Sequence, residues 1–265
     1  MGIRIGKIEK RIHEMLDERG ALLFTVIDPV DYGTPDAAIK TAVAAEKGGS
    51  DVILVGGSIG AQGELLEYVI KGIKEKADAP LILFPGNIAT ISRHADALYF
   101  MSLLNARNPY WITQAQMLSA PLIKRLGIEP LPVGYIVIHP GGTVGWVGDA
   151  NLVPREKPHI ASSLALAGEY LGNRFIITDV GSNPQMQGYS SVPLPIIKAV
   201  SEAIRVPYII AGGVRSVDAV RLSVKGGADI IQIGTAIEKS KGAEAQAKLF
   251  SRIIKEEGSK RKARR

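Results

Sequence analysis

Short runs rich in Val, Ile and Leu recur along the chain, each followed by a polar or glycine turn and then by a stretch with helical spacing. The strand-like runs cover residues 21–28, 51–57, 80–86, 97–104, 131–139, 175–181, 207–213 and 229–235. Most are apolar at successive positions rather than alternating. Parallel strands packed by a core on one side and helices on the other show that pattern. Helical spacing occupies 35–47, 63–76, 109–126, 158–171, 193–205, 216–225 and 236–256, several opened by Pro or Ser as helix starts prefer, and a further helix at 7–18 precedes the first strand. The alternation and the strand count predict an α/β fold, a closed (βα)8 TIM barrel. Residues 87–96 are too few for two loops and a crossover helix, so the barrel is expected to be irregular around its third helix. The segment 141–157, long and rich in Gly and Pro, is expected to form a lid or rim loop.

Length and composition narrow this picture. The 265 residues suit one barrel, expected over residues 1–257. Of the net charge of +6, five charges come from Lys260, Arg261, Lys262, Arg264 and Arg265, leaving the body nearly balanced. That distribution argues against a nucleic-acid surface and marks 258–265 as a basic tail, expected to be disordered and able to make transient contact with anionic lipid. Apolar runs are far shorter than the roughly 20 residues of a membrane span, and the N-terminus turns charged before a secretory core develops, so a cytoplasmic protein is expected. The absence of cysteine excludes disulfides, thiolate metal sites and a cysteine nucleophile, and leaves oxygen or imidazole ligands for any metal.

A barrel of this kind carries its chemistry at the C-terminal ends of the strands. Strand seven ends in Ala211-Gly212-Gly213 and strand eight in Ile233-Gly234-Thr235, with Gly181-Ser182-Asn183 at strand six. Glycine allows positive φ and close backbone approach, and amides opening a helix donate to a dianion, so these ends predict a phosphate clamp. Glycines also end strands for turn reasons alone. Their pairing in the last two strands is what favours phosphate. Asp28, before Pro29 at the end of strand one, offers a carboxylate for Mg2+, and Ser58 a hydroxyl; a turn-capping role for Asp28 is the alternative. Asp179 in strand six lies close enough to the clamp to orient a hydroxyl or act as general base. His139 ends strand five with either a titrating or a structural role. None of these strand ends presents a lysine, which weakens a Schiff-base aldolase reading. The apolar set Phe100, Met101, Leu103, Leu104, Tyr110 and Trp111 is either core or the lining of a lipid groove.

Taken together, Ile27-Asp28-Pro29, Val55-Gly56-Gly57-Ser58, Phe84-Pro85-Gly86-Asn87, Met101-Ser102-Leu103-Leu104-Asn105, Asn108-Pro109-Tyr110-Trp111 and the string from Gly141 to Asp149 resemble the geranylgeranylglyceryl phosphate synthase family. Gly181-Ser182, Gly212-Gly213-Val214-Arg215-Ser216 and Gly234-Thr235 resemble that family's glycerol-phosphate site. The string around Trp146 resembles its larger-oligomer branch.

The resemblance implies a prenyltransferase that joins a geranylgeranyl group from geranylgeranyl diphosphate to the C3 hydroxyl of sn-glycerol 1-phosphate, the first ether bond of archaeal membrane lipids, with Mg2+ held by Asp28 and Ser58. It implies catalytic roles for Asp179 and Asp28. It also implies acceptor contacts from Ile177, Thr178, Asp179, Val180, Gly181, Ser182, Asn183, Gly212, Gly213, Gly234 and Thr235, and a homo-oligomer, dimer or hexamer. The family usually reads Tyr-Leu-Glu-Ala-Gly-Ser-Gly where this chain has Ile177-Thr178-Asp179-Val180-Gly181-Ser182-Asn183, so the acid is one methylene shorter and the final glycine is replaced. Two other readings stay open at this point. One is a phosphate-sugar isomerase or lyase of the ribulose-phosphate-binding type; the other is a phosphate-binding barrel without catalysis.

Overall fold

Successive side chains in a β-strand point to opposite sides, and the buried positions here divide by that parity into two shells. Leu22, Phe24, Leu54, Tyr99, Phe175 and Ile177 fill one cluster, inside the barrel, while Leu23, Ile53, Val55, Ile176 and Ile231 belong to another, between barrel and helices. In the computed structural model, which describes residues 5–263, eight parallel strands close in sequence order. They are β1 Leu22–Ile27, β2 Val52–Gly57, β3 Leu81–Pro85, β4 Ala97–Leu103, β5 Glu129–Val137, β6 Phe175–Asp179, β7 Tyr208–Ala211 and β8 Ile230–Ile233, with β1 pairing β8 to seal the ring. The expected TIM barrel is therefore the fold.

The helices are α1 Lys7–Arg19, α2 Pro35–Lys47, α3 Gly63–Lys74, α4 Ala115–Leu126, α5 Gly142–Val147, α6 Pro158–Tyr170, α7 Leu194–Ala203, α8 Val217–Lys225, α9 Thr235–Glu238 and α10 Ala243–Lys262. Helix α1 packs Ile8, Ile12 and Met15 into the inner cluster, closing the barrel at the end remote from the strand C-termini. Its first amides are satisfied by Glu129, whose carboxylate accepts from Ile8 N and Glu9 N at 2.8 Å each, a favourable charge for a helix start. Among the described residues no helix is long and apolar enough to cross a membrane.

Between β3 and β4 the chain forms turns and no helix, as the short spacing predicts. The barrel wall is therefore uncovered there, and Ile88 and Ile91 from this connection face a cleft instead of a helix. Before α4 the chain makes a π-helical turn, Tyr110–Gln114, held by Ser102 Oγ donating to Ile112 O at 2.8 Å. Such turns often mark functional positions.

Two sequence expectations are corrected, and a third, the lid or rim loop, is narrowed to the rim. The stretch 236–256 is two helices, α9 and α10, because Ser240 Oγ donates to Ile237 O at 2.7 Å and ends the first one after a single turn. The segment 141–157 is neither a free lid nor wholly irregular: it contains α5, Val153 N donates to Val137 O, and the Asn105 amide bonds both Val137 O and Asn151 O at 2.9 Å. It stands as a fixed rim. The basic tail 258–265, expected to be disordered, continues α10 through Lys262. Arg261 is the reason, since its guanidinium donates to Gly20 O at 2.6 Å, Ala228 O at 2.8 Å and Asp229 Oδ1 at 2.7 Å. Arg264 and Arg265 lie outside the described residues.

Candidate active site

Two cavities open at the C-terminal ends of the strands, and they share a border. The larger, about 1340 Å3 of empty space including its opening to solvent, starts at Asp28 and Ser58 and continues along an apolar wall that includes Phe84, Ile91, Met101, Trp111 and Val147. The smaller, about 520 Å3 on the same measure, is ringed by Gly181, Ser182, Asn183, Gly212, Gly213, Gly234 and Thr235. Val26, Phe84, Asp179, Ser182, Gly234 and Thr235 line both. Asp179 is the one carboxylate on that shared border.

The small cavity is built from backbone. Gly212 and Gly213 have φ of 80° and 68°, and a Cβ on Gly212 would stand 2.5 Å from Asp179 Oδ1 and 2.7 Å from Gly181 O. Only glycine lets β7 end this close to β6. Asn183 adopts φ 54° and ψ 44°, a left-handed conformation that asparagine tolerates better than most residues, and its side-chain oxygen accepts from the Arg215 guanidinium. The position where the resembled family has glycine thus keeps the backbone shape glycine would give, and adds a tether for a cation lining the cavity.

Asp179 is buried at the end of β6, inside the barrel. Its Oδ2 accepts from the Tyr135 phenol, and its Oδ1 accepts from Gly181 N at 2.6 Å. Burial raises its pKa, while the bonds from Tyr135 and Gly181 oppose that rise. The result is a shielded carboxyl with one face fixed by protein donors, set between the two cavities.

At the outer end of the larger cleft, Asp28 N-caps the short turn Pro29–Asp31 and lies against β2: a Cβ on Gly57 would fall 2.4 Å from its Oδ1. Ser58 follows directly. Burial, then the charge of Asp31, pushes the Asp28 carboxyl up to about 7. Burial, Asp31 and Asp28 together push Glu238 up to about 7 as well. Burial, with repulsion among the neighbouring carboxyls as the smaller cause, disfavours the charged forms here, and a bound cation relieves that penalty. Among the described residues no three acidic or imidazole side chains form a complete metal cage. The donor set suits Mg2+, a hard ion commonly held by one or two carboxylates with its other places taken by water and substrate phosphate.

Ile177, Thr178 and Val180, expected among the acceptor contacts, line neither cavity. Depth and strand parity explain this: Ile177 faces inward but deeper in the barrel core, Val180 faces the outer shell, and Thr178 Oγ1 pairs with Tyr208 OH at 2.6 Å. His139 also lies off both cavities, its ring edge-on to Tyr189 at 4.9 Å. Asp31, Glu238, Tyr135 and Gln232 also line one cavity or the other and were not expected from the sequence, whereas Arg215, part of the string resembling the glycerol-phosphate site, lines the smaller one. The signal for Tyr135 and Gln232 was present: both are polar residues on inward positions of otherwise apolar strands.

Comparison with known proteins bears on the same residues. A model of the PcrB family matches residues 13–253. The chain is 49% identical over 251 residues to the geranylgeranylglyceryl phosphate synthase of Pyrococcus horikoshii, covering 95% of this chain and 96% of that one. It is 51% identical over 243 residues to the protein of the same name from Thermococcus kodakarensis, covering 91% and 94%. The crystal structure of (S)-3-O-geranylgeranylglyceryl phosphate synthase from Thermoplasma acidophilum in complex with sn-glycerol-1-phosphate superposes with a TM-score of 0.88 at 34% identity, covering 96% of this chain and all of that one. A 3-hexulose-6-phosphate synthase matches at a TM-score of 0.58 and 19% identity, which concerns the barrel alone.

Proposed function

The chain belongs to the PcrB family, and on that premise we propose that it transfers a geranylgeranyl group from geranylgeranyl diphosphate to the C3 hydroxyl of sn-glycerol 1-phosphate. The observation that carries the reading is the shared border at Asp179. A small cavity ringed by glycine backbone meets a long apolar cleft with an acidic end, and a carboxylate stands where the two join.

In this reading the glycerol phosphate seats its phosphate among the Gly212, Gly213, Gly234 and Thr235 backbone, with Ser182 and Arg215 beside it. The prenyl chain lies along Phe84, Met101 and Trp111, and its diphosphate points to Asp28. Asp28 and Ser58 would hold Mg2+, which when bound would supply positive charge to the departing diphosphate. The acceptor oxygen forms a bond to C1 of the prenyl group as the bond from that carbon to the diphosphate oxygen breaks. Asp179 takes the hydroxyl proton. Its burial raises its basicity toward that task, while Tyr135 and Gly181 hold it in place through one hydrogen bond to each oxygen, which leaves each a further lone pair. Two reactants fixed side by side account for much of the acceleration by positioning.

The sugar-phosphate isomerase alternative uses only the smaller cavity and gives no role to the apolar cleft. A site without catalysis gives no role to a buried carboxylate between two binding cavities. Exposed apolar side chains on α4 and α5, Met117, Leu118 and Trp146, support the expected homo-oligomer.

The test is incubation with labelled geranylgeranyl diphosphate and sn-glycerol 1-phosphate with and without Mg2+, followed by extraction of the ether product. Product formed with Mg2+ and lost with chelator is expected. Turnover of a sugar phosphate in place of ether formation would overturn the reading.

A further inference from the structure

Gln232 is 4% exposed, lies in the inward-facing row of β8, and lines the small cavity. Its carboxamide oxygen is buried with no hydrogen-bond partner. A buried amide oxygen without a donor costs about 1–3 kcal/mol. Such a cost at a strand position that Leu or Met would fill points to a ligand that supplies the missing partner.

The register fixes where that partner must stand. Asp179 pairs with Ala211 across β6 and β7, and Ala211 pairs with Gln232 across β7 and β8, so the three occupy one layer of the barrel. Ala211 is small, and the space above it is bounded by Asp179 on one side and Gln232 on the other. Two strand spacings, about 9–10 Å, separate their backbones, close enough for the two inward side chains to reach neighbouring hydroxyls of one small polyol. The two ends are not equivalent: Asp179 borders both cavities, whereas Gln232 borders only the small one. The hydroxyl that reacts belongs at Asp179, facing the prenyl cleft. A hydroxyl that does not react belongs at Gln232.

We propose that Gln232 is a specificity-determining residue that hydrogen-bonds the secondary, C2 hydroxyl of the glycerol phosphate while Asp179 engages the C3 hydroxyl. The inference rests on the function proposed above. It adds a polar recognition element that neither the glycine clamp nor the acid provides. The amide offers both a donor and an acceptor, so it matches a hydroxyl better than it matches a ketone, which has no proton to give the orphaned oxygen.

The experiment compares wild type with Gln232→Met, which keeps length and volume and removes the amide. Calorimetry measures binding of sn-glycerol 1-phosphate, of 3-hydroxypropyl phosphate, which lacks the C2 hydroxyl, and of inorganic phosphate. Wild type is expected to bind glycerol phosphate about tenfold more tightly than 3-hydroxypropyl phosphate, one hydrogen bond's worth. Gln232→Met is expected to erase that preference and to bind inorganic phosphate as wild type does. In turnover its KM for the acceptor rises about tenfold while its KM for the prenyl diphosphate holds. Its melting temperature stays level or rises, since the change removes an unsatisfied polar group. Three outcomes overturn the proposal: an unchanged preference between the two acceptors, an equal loss of inorganic phosphate binding, or a variant that melts lower or fails to fold. Because binding is read apart from turnover, loss of the preference in a protein that forms no ether would sustain the role of Gln232 and reject the prenyl transfer reading.

Discussion

The Tyr135 phenol on β5 donates to Asp179 Oδ2 on neighbouring β6, inside a barrel otherwise packed with apolar side chains. The bond opposes the rise that burial imposes on the Asp179 pKa, and burial with the adjacent carboxylate lifts the Tyr135 phenol well above its ordinary range. The pair therefore holds its proton on the tyrosine and leaves the carboxyl as the group that titrates.

Tyr135→Phe removes that donor, so the Asp179 pKa rises further and less of it is ionised at any given acidic pH. The acid limb of kcat/KM is expected to move to higher pH by about one pH unit, the equivalent of a hydrogen bond to a charged group. A pH–rate profile measured beside wild type checks this. An unmoved limb would detach Tyr135 from the base.

Asp28 carries a folded-state pKa of about 7 against 3.8 unfolded, because burial and Asp31 disfavour its charge. A raised pKa means that the stability associated with the protonated form is complete below about pH 4 and lost as pH rises through about 7. Asp28→Asn removes the penalty. In metal-free buffer it is expected to match wild type near pH 4 and to melt about 2–4 °C higher at pH 8, the effect of about 1 kcal/mol left after solvent screening. Turnover in the same variant is expected to fall at least about 100-fold, the size of a lost electrostatic contact to the departing group. Melting curves at the two pH values and an activity assay together separate this role from a turn cap, whose loss would destabilise at both.

Much of this site was legible along the chain, and the limits have physical causes. Asp28, Asp179 and the glycine pairs could be found because each sits at a strand end, where side-chain type and position coincide. Ile177, Thr178 and Val180 were placed beside the ligand by a contiguous motif, but a strand shows each side only every second residue, so parity turns Thr178 and Val180 outward, while Ile177 faces inward one layer below the cavities. Glu238 was hidden because the spacing reads 236–256 as one helix, whereas Glu238 ends the separate single turn α9 that follows β8 at the rim of the cleft. Lys260, Arg261 and Lys262 looked like a solvated tail because composition carries no record of the carbonyls that Arg261 meets. The fold was easier, since eight apolar runs with helices between them leave few other closures.

Gly212→Ala places a methyl 2.5 Å from Asp179 Oδ1 at a φ of 80°. Both the strained backbone and the contact are expected to lower stability by about 1–3 kcal/mol and to weaken inorganic phosphate binding at least about tenfold. Chemical denaturation and phosphate calorimetry check the two effects. Wild-type phosphate affinity would remove Gly212 from the clamp.

Arg261→Ala tests the end of α10. It removes donors from the backbone carbonyls of Gly20, Val224 and Ala228 and from Asp229 Oδ1, at a site where the arginine side chain is only 15% exposed. A loss of about 1.5–3 kcal/mol in denaturant unfolding is expected, with KM values unchanged. A variant as stable as wild type would return these residues to the status of a loose basic tail.

The most direct test of the joined cavities is single turnover in Asp179→Asn with both substrates preloaded. If Asp179 takes the acceptor proton at the border, affinities for sn-glycerol 1-phosphate and geranylgeranyl diphosphate stay close to wild type while ether formation slows by about 100- to 10,000-fold. Ether formation at the wild-type rate in that variant would contradict the assignment and place the chemistry elsewhere.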